Sequence, residues 1–119
     1  MKPARFLAAA PLAVALVAVG PATSAHSPTA PATTVKVVMT DYDFALSKLR
    51  LKHGKVVFRV VNTGEVIHDF KIAGKKTPIF TTGQSGALSV AFKKPGKYTF
   101  ICTVPGHVAA GMKGVLTVR

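Results

Sequence analysis

The stretch "KYTFICTVPGHVAAGMKGVLTVR", residues 97–119, holds two apolar alternations separated by a ten-residue connection. In the first, Tyr98, Phe100 and Cys102 recur with period two and share one face of an extended strand. Pro105 and Gly106 then end the ladder, because proline has no N–H to donate and glycine readily leaves the extended region. "KGVLTVR" (113–119) resumes the alternation. A buried thiol at a strand end is a good metal ligand and a poor exposed nucleophile.

Working outward, the same texture runs through "TVKVVMT" (34–40), "KVVFRVVNTG" (55–64), "VIHDFKIAG" (66–74) and "ALSVAFKKPG" (87–96). Short β-branched and aromatic runs lie between turn signals spaced roughly 8–12 residues apart, and no apolar period of helix length occurs. That pattern predicts an all-β sandwich or barrel in one domain. "NTG" (62–64) and "KPGK" (94–97) read as turns, and the segment between Ala73 and Ala87 as an irregular crossing loop. Met39 continues the alternation of Val35 and Val37 and is expected in the core, whereas His53, in a basic turn, is expected in solvent.

The N-terminus has a different character. Lys2 and Arg5 precede the apolar run Phe6–Val19 and the small-residue stretch "GPATSA", which reads as a secretory signal peptide over 1–25, cleaved after Ala25. Fourteen apolar-rich residues interrupted by Pro11 are short for a membrane span, which needs about 20. Residues 26–34, "HSPTAPATT", lack periodicity and read as a flexible leader, so the folded domain is expected over 35–119. An exported location follows, periplasmic, extracellular or associated with the cell envelope.

Without Lys2 and Arg5, fourteen basic residues face only Asp41, Asp43, Glu65 and Asp69, leaving a charge of +10. Such a surface favours anionic partners, acidic proteins or an anionic cell envelope. Nucleic acid is not expected, since the aromatics sit within apolar alternations, not among the lysines.

A single cysteine cannot form an internal disulfide, so Cys102 needs another partner. His107 and Met112 follow at five-residue intervals, and His68 lies in an earlier segment that a Greek key can bring alongside. Two imidazoles, one thiolate and a weak axial thioether form the ligand field of an electron-transfer copper site. Met112 argues against structural zinc, which usually closes on four Cys or His ligands, and one cysteine is too few for a binuclear copper centre. A Cys–His nucleophile pair would need an accessible thiolate and an oriented third group, neither of which the sequence suggests. A sandwich used only for adhesion, with Cys102 as core, stays open at this point.

"YTFICTVPGHVAAGM" closely resembles the copper loop of the cupredoxins, the blue copper family, and its Cys-x₄-His-x₄-Met spacing is most similar to azurin. "HDF" (68–70) stands where that family carries its first histidine ligand. The resemblance spans about Val35 to Arg119 and implies an all-β, Greek-key β-sandwich with one type 1 copper held by His68, Cys102, His107 and Met112. It also implies a monomeric one-electron carrier, not an enzyme, that meets redox protein partners through an apolar patch around His107 (Val104, Pro105, Val108, Ala109, Ala110). The alternative is extracytoplasmic copper buffering or delivery. Copper-dependent reductases and oxidases of the same sandwich need additional domains. Plastocyanins and azurins usually place asparagine after the first histidine, where this chain has Asp69. A carboxylate cannot donate, so the tie between the two ligand loops must come from N–H donors. Azurin also offers a backbone carbonyl from a glycine before that histidine. Ile67 stands there instead, and no fifth contact is expected.

Overall fold

A computed structural model describes residues 31–119, together with Pro3, Ala4, Pro11, residues 13–18 and Gly20. Most of the predicted signal peptide and leader therefore lies outside the described residues. Among those described, no helix is long and apolar enough to cross a membrane.

Among the described residues nine strands form two sheets: β1 (Thr33–Thr40), β2 (Asp43–Leu46), β3 (Arg50–Leu51), β4 (Gly54–Asn62), β5 (Lys71–Ile72), β6 (Lys75–Lys76), β7 (Ser85–Phe92), β8 (Gly96–Ile101) and β9 (Lys113–Val118). One sheet has the order β2-β1-β4-β7 and the other β3-β9-β8-β5-β6. The chain changes sheet after β2, β3, β4, β6 and β7, most briefly at the β3–β4 and β7–β8 turns, and β1 lies parallel to β4 with Val35 opposite Phe58.

The predicted alternation is what packs the sandwich. Val35, Val37 and Met39 of β1, Val56, Phe58 and Val60 of β4, and Leu116 and Val118 of β9 all turn inward and are buried. Between the sheets runs an aromatic column in which Phe44, Phe58 and Phe100 each meet Phe70 or one another at ring centroids 5.2–5.7 Å apart, mostly tilted or edge-on.

Three elements differ from the expectation. The segment 66–74 contributes only the two residues of β5. His68 itself sits on an isolated bridge to Phe80, with N–H···O bonds of 3.1 and 2.8 Å in the two directions. β2 and β3 lie in "DYDFALSKLRL", whose Asp41, Asp43, Lys48 and Arg50 mask a short edge alternation that is settled by pairing to β1 and β9. Residues 75–76, expected to be loop, pair with β5 as the sheet's edge.

Asn62 continues the inward face of β4 past Val60 and is fully buried at the end of the sandwich that carries the histidines. Its Nδ2 donates to the carbonyls of Val66 (2.9 Å) and Phe80 (2.8 Å), and its Oδ1 accepts from the Gly64 N–H (2.9 Å). One buried amide thus fixes the 62–66 turn against Phe80, the residue that brackets His68.

Candidate metal centre

Cys102 follows β8 directly and is fully buried, its N–H bonded to the Met112 carbonyl at 3.2 Å. The connection between them folds back on itself: the His107 N–H donates to Val104, and the Met112 N–H donates to the His107 carbonyl at 3.0 Å. Gly106 and Gly111 have φ of 83° and 103°, the left-handed region that side chains rarely adopt, and so let the loop close this tightly. Met112 is fully buried beneath it, and His107 is half-buried at the surface.

The bridge to Phe80 carries His68 across to this loop. His68 Nδ1 lies 3.9 Å from Cys102 Sγ and 3.1 Å from His107 Nδ1, and His107 Nδ1 lies 3.5 Å from Sγ. A triangle with these sides has its equidistant point about 2 Å from each corner, close to the bond lengths of transition metals to imidazole nitrogen (about 2.0–2.1 Å) and thiolate (about 2.3 Å). The three donors therefore fit one ion without rearrangement. Together with the buried thioether of Met112, His68, Cys102 and His107 are arranged as a copper site.

Which nitrogen of His68 is free is set by a residue that the sequence did not single out. Asp41, in the β1–β2 turn, places Oδ1 2.9 Å from His68 Nε2. Its carboxylate also accepts the N–H groups of Glu65 (3.0 Å) and Val66 (3.2 Å). Those amides, with Glu65 first and then His68, hold the Asp41 carboxyl below the ordinary carboxylate range. An ionised carboxylate only accepts, so Nε2 carries the proton and Nδ1 presents its lone pair to the site. No motif marks Asp41 in the sequence, since it lies 27 residues before His68 and only the fold joins them. Beside it Tyr42, at φ 71°, stands edge-on to His107 with ring centroids 5.1 Å apart.

Asp69 is buried and supplies the tie between the two ligand loops. Its Oδ1 accepts from the Thr103 N–H at 2.6 Å, and its Oδ2 accepts from the Thr103 hydroxyl. N–H and O–H donors on the cysteine loop thus do what the family's asparagine would otherwise share. Burial pushes the Cys102 thiol up, while the backbone N–H groups of Asp69 and Val104 favour the thiolate.

Around the half-exposed His107, residues Pro105, Val108, Ala109 and Ala110 are exposed as expected, whereas Val104 packs partly on the core. Tyr42, Val66 and Ile67 add exposed apolar surface beside the ligand loops. His53 is exposed at the opposite end, and Met39 is buried.

Residues 9–118 match the family model of the cupredoxin-like domain. The chain belongs to the cupredoxin-like family. Over 42 residues, 35% of this cupredoxin, it is 50% identical to auracyanin-B of Chloroflexus aurantiacus, spanning 18% of that protein. It is 30% identical to the copper-resistant cuproprotein CopI of Rubrivivax gelatinosus over 109 residues, covering 72% of this chain and 66% of that one. The chain thus spans less than two thirds of the length of either relative. An auracyanin B structure superposes with a TM-score of 0.67 at 28% identity over 76% of this chain and 91% of its own. A multicopper oxidase shares the fold at 19% identity and a TM-score of 0.61, with 46% of its chain covered.

Proposed function

We propose that this cupredoxin is an exported, non-enzymatic one-electron carrier that holds a single type 1 copper through His68, Cys102, His107 and Met112. The observation that carries this reading is the triangle of His68 Nδ1, His107 Nδ1 and Cys102 Sγ, closed to 3.1–3.9 Å within a rigid sandwich. A bound copper ion supplies a one-electron couple. The chain's own part is to keep that geometry fixed in both oxidation states. Asp41 fixes the His68 tautomer, Asp69 pins the cysteine loop through Thr103, and Met112 is held by backbone bonds to Cys102 and His107. The His107 ring is the part of the set that a redox protein can approach, through the apolar surface of Tyr42, Val108 and their neighbours.

Export rests on the signal-like residues 1–25, with cleavage after Ala25, a leader over 26–34 and a monomeric domain from 35 onward as parts of the same reading. Adding Cu(II) to the purified protein should give an intense thiolate-to-copper absorption in the visible that is lost in Cys102→Ser. A colourless adduct would overturn the assignment.

The relative named for copper resistance favours a second reading, copper buffering or delivery. The two part on kinetics. Release of copper to a chelator within seconds supports delivery, and retention for days supports electron transfer.

A further inference from the structure

We propose that the end of the domain opposite the metal centre is a docking surface for an anionic lipid bilayer, with the copper-bearing end held outward. Arg50, Lys52 and Lys55 surround the β3–β4 turn, Lys93, Lys94 and Lys97 the β7–β8 turn, and Arg119 follows β9, all of them exposed. The register gathers these turns at one pole. Gly54 stands opposite Phe92, Arg50 and Lys97 flank Thr117 on its two sides, and the His53 N–H donates to the Arg119 carbonyl at 2.7 Å.

No Asp or Glu side chain lies among them. Asp41, Asp43, Glu65 and Asp69 are all at the metal-bearing end, with Lys71, Lys76 and Lys113 nearby, whereas Lys75 reaches back to the Ser89 carbonyl at the waist (3.3 Å). That end is close to neutral, so the net +10 of residues 31–119 belongs to the far pole and the waist. A charge meant to steer an acidic protein toward the copper would surround the copper. This one points away from it, and the nine residues of β4 put about 27 Å between the two ends at roughly 3.3 Å per residue.

The path of the chain favours a bilayer over an acidic protein. β1 starts at this same pole, with Thr33 paired to Val56. The apolar run Phe6–Val19 precedes Thr33 by thirteen residues, a reach of at most about 45 Å. Until cleavage after Ala25 removes it, a membrane that engages this run meets the basic pole first; in the processed chain β1 still begins at that pole, where Leu49, 52% exposed beside Arg50, offers the bilayer an apolar contact. Clusters of basic residues next to an apolar membrane segment bind anionic headgroups, each residue contributing on the order of a fivefold gain in partitioning.

The test uses the full chain, with and without copper, on phosphatidylcholine vesicles with and without about 30% phosphatidylglycerol. The ratio of anionic to neutral binding cancels whatever the apolar run contributes. We expect that ratio to be large, to collapse with added salt, and to fall on the order of a hundredfold in Lys52→Gln/Lys94→Gln/Lys97→Gln. The equally charged control Lys71→Gln/Lys76→Gln/Lys113→Gln should change it two- to threefold at most. Should the triple variant not fold by circular dichroism, the three single variants carry the same comparison. Equal loss in both triples, no preference for anionic vesicles, or stronger capture by polyglutamate than by vesicles would overturn the proposal. Binding is read on the copper-free protein too, so failure of the copper assignment would leave this result standing.

Discussion

Gly64 makes no demand on backbone conformation, for its φ is not positive, yet it is a position where one methyl group should reach the metal centre. A Cβ there would overlap Asp41 Oδ1 and come within 3.0 Å of both the Asp41 N–H and His68 Nε2. The backbone of the turn cannot retreat, because the Gly64 N–H is bonded to the buried Asn62 side chain and the Gly64 carbonyl accepts from the Thr82 hydroxyl at 2.7 Å. In Gly64→Ala the Asp41 carboxylate is therefore the group that moves, abandoning His68 Nε2. Overpacking of this kind costs about 1–3 kcal/mol. In a domain of this size that is a fall in apoprotein Tm of roughly 5–20 °C. Losing the carboxylate that orients a metal-binding imidazole weakens metal affinity about 10–100-fold. Thermal unfolding by circular dichroism and copper competition against a chelator measure the two effects. The double variant separates mechanism from general damage. With Asp41→Ala in place the overlapping carboxylate is gone and only the 3.0 Å approaches to the residue-41 N–H and His68 Nε2 remain, so adding Gly64→Ala should cost clearly less than it does alone, and the two changes should be less than additive. Additive losses, or a Gly64→Ala protein with unchanged Tm and copper affinity, would refute the role assigned to Asp41.

Asp69→Asn keeps an acceptor for the Thr103 N–H but removes a negative charge that favours Cu(II), so protein-film voltammetry should show the reduction potential rising by tens of millivolts. An unchanged or lower value would count against that electrostatic account. Asn62→Ala strips hydrogen bonds from the Gly64 N–H and the Val66 and Phe80 carbonyls, which should cost about 2–3 kcal/mol, or roughly 10–20 °C in Tm, with a broadened visible spectrum where copper is retained. Because burial raises the Cys102 thiol above its ordinary value of about 8.5, the apoprotein holds a thiol at neutral pH. Copper loading there should release about one proton more than loading of Cys102→Ser, read as the buffer dependence of the calorimetric heat.

Period-two alternation in residues 35–39, 56–60 and 98–102 was enough to predict the sandwich, because burying one face of a strand forces that pattern whatever the partners are. Cys102, His107 and Met112 were equally legible. They lie in one loop whose closure depends on neighbouring residues alone, so spacing carries the geometry. His68 could be named from the donor set that the loop leaves incomplete, but its approach to the loop was an assumption about the fold. Its place rests on pairing with Phe80, a contact twelve residues away that no local signal encodes. Asp41 and Tyr42 were invisible for the same reason, since their approach to His68 and His107 arises where the β1–β2 turn meets two other loops. Composition likewise fixed a charge of +10 but not its direction. Only the register of β3, β4, β8 and β9 gathers seven of the lysines and arginines at one pole, and only the loops at the other end bring Asp41 and Asp69 beside the metal centre. Local interactions are written along the chain and can be read there, whereas the relative placement of distant segments is decided by how the two sheets pack.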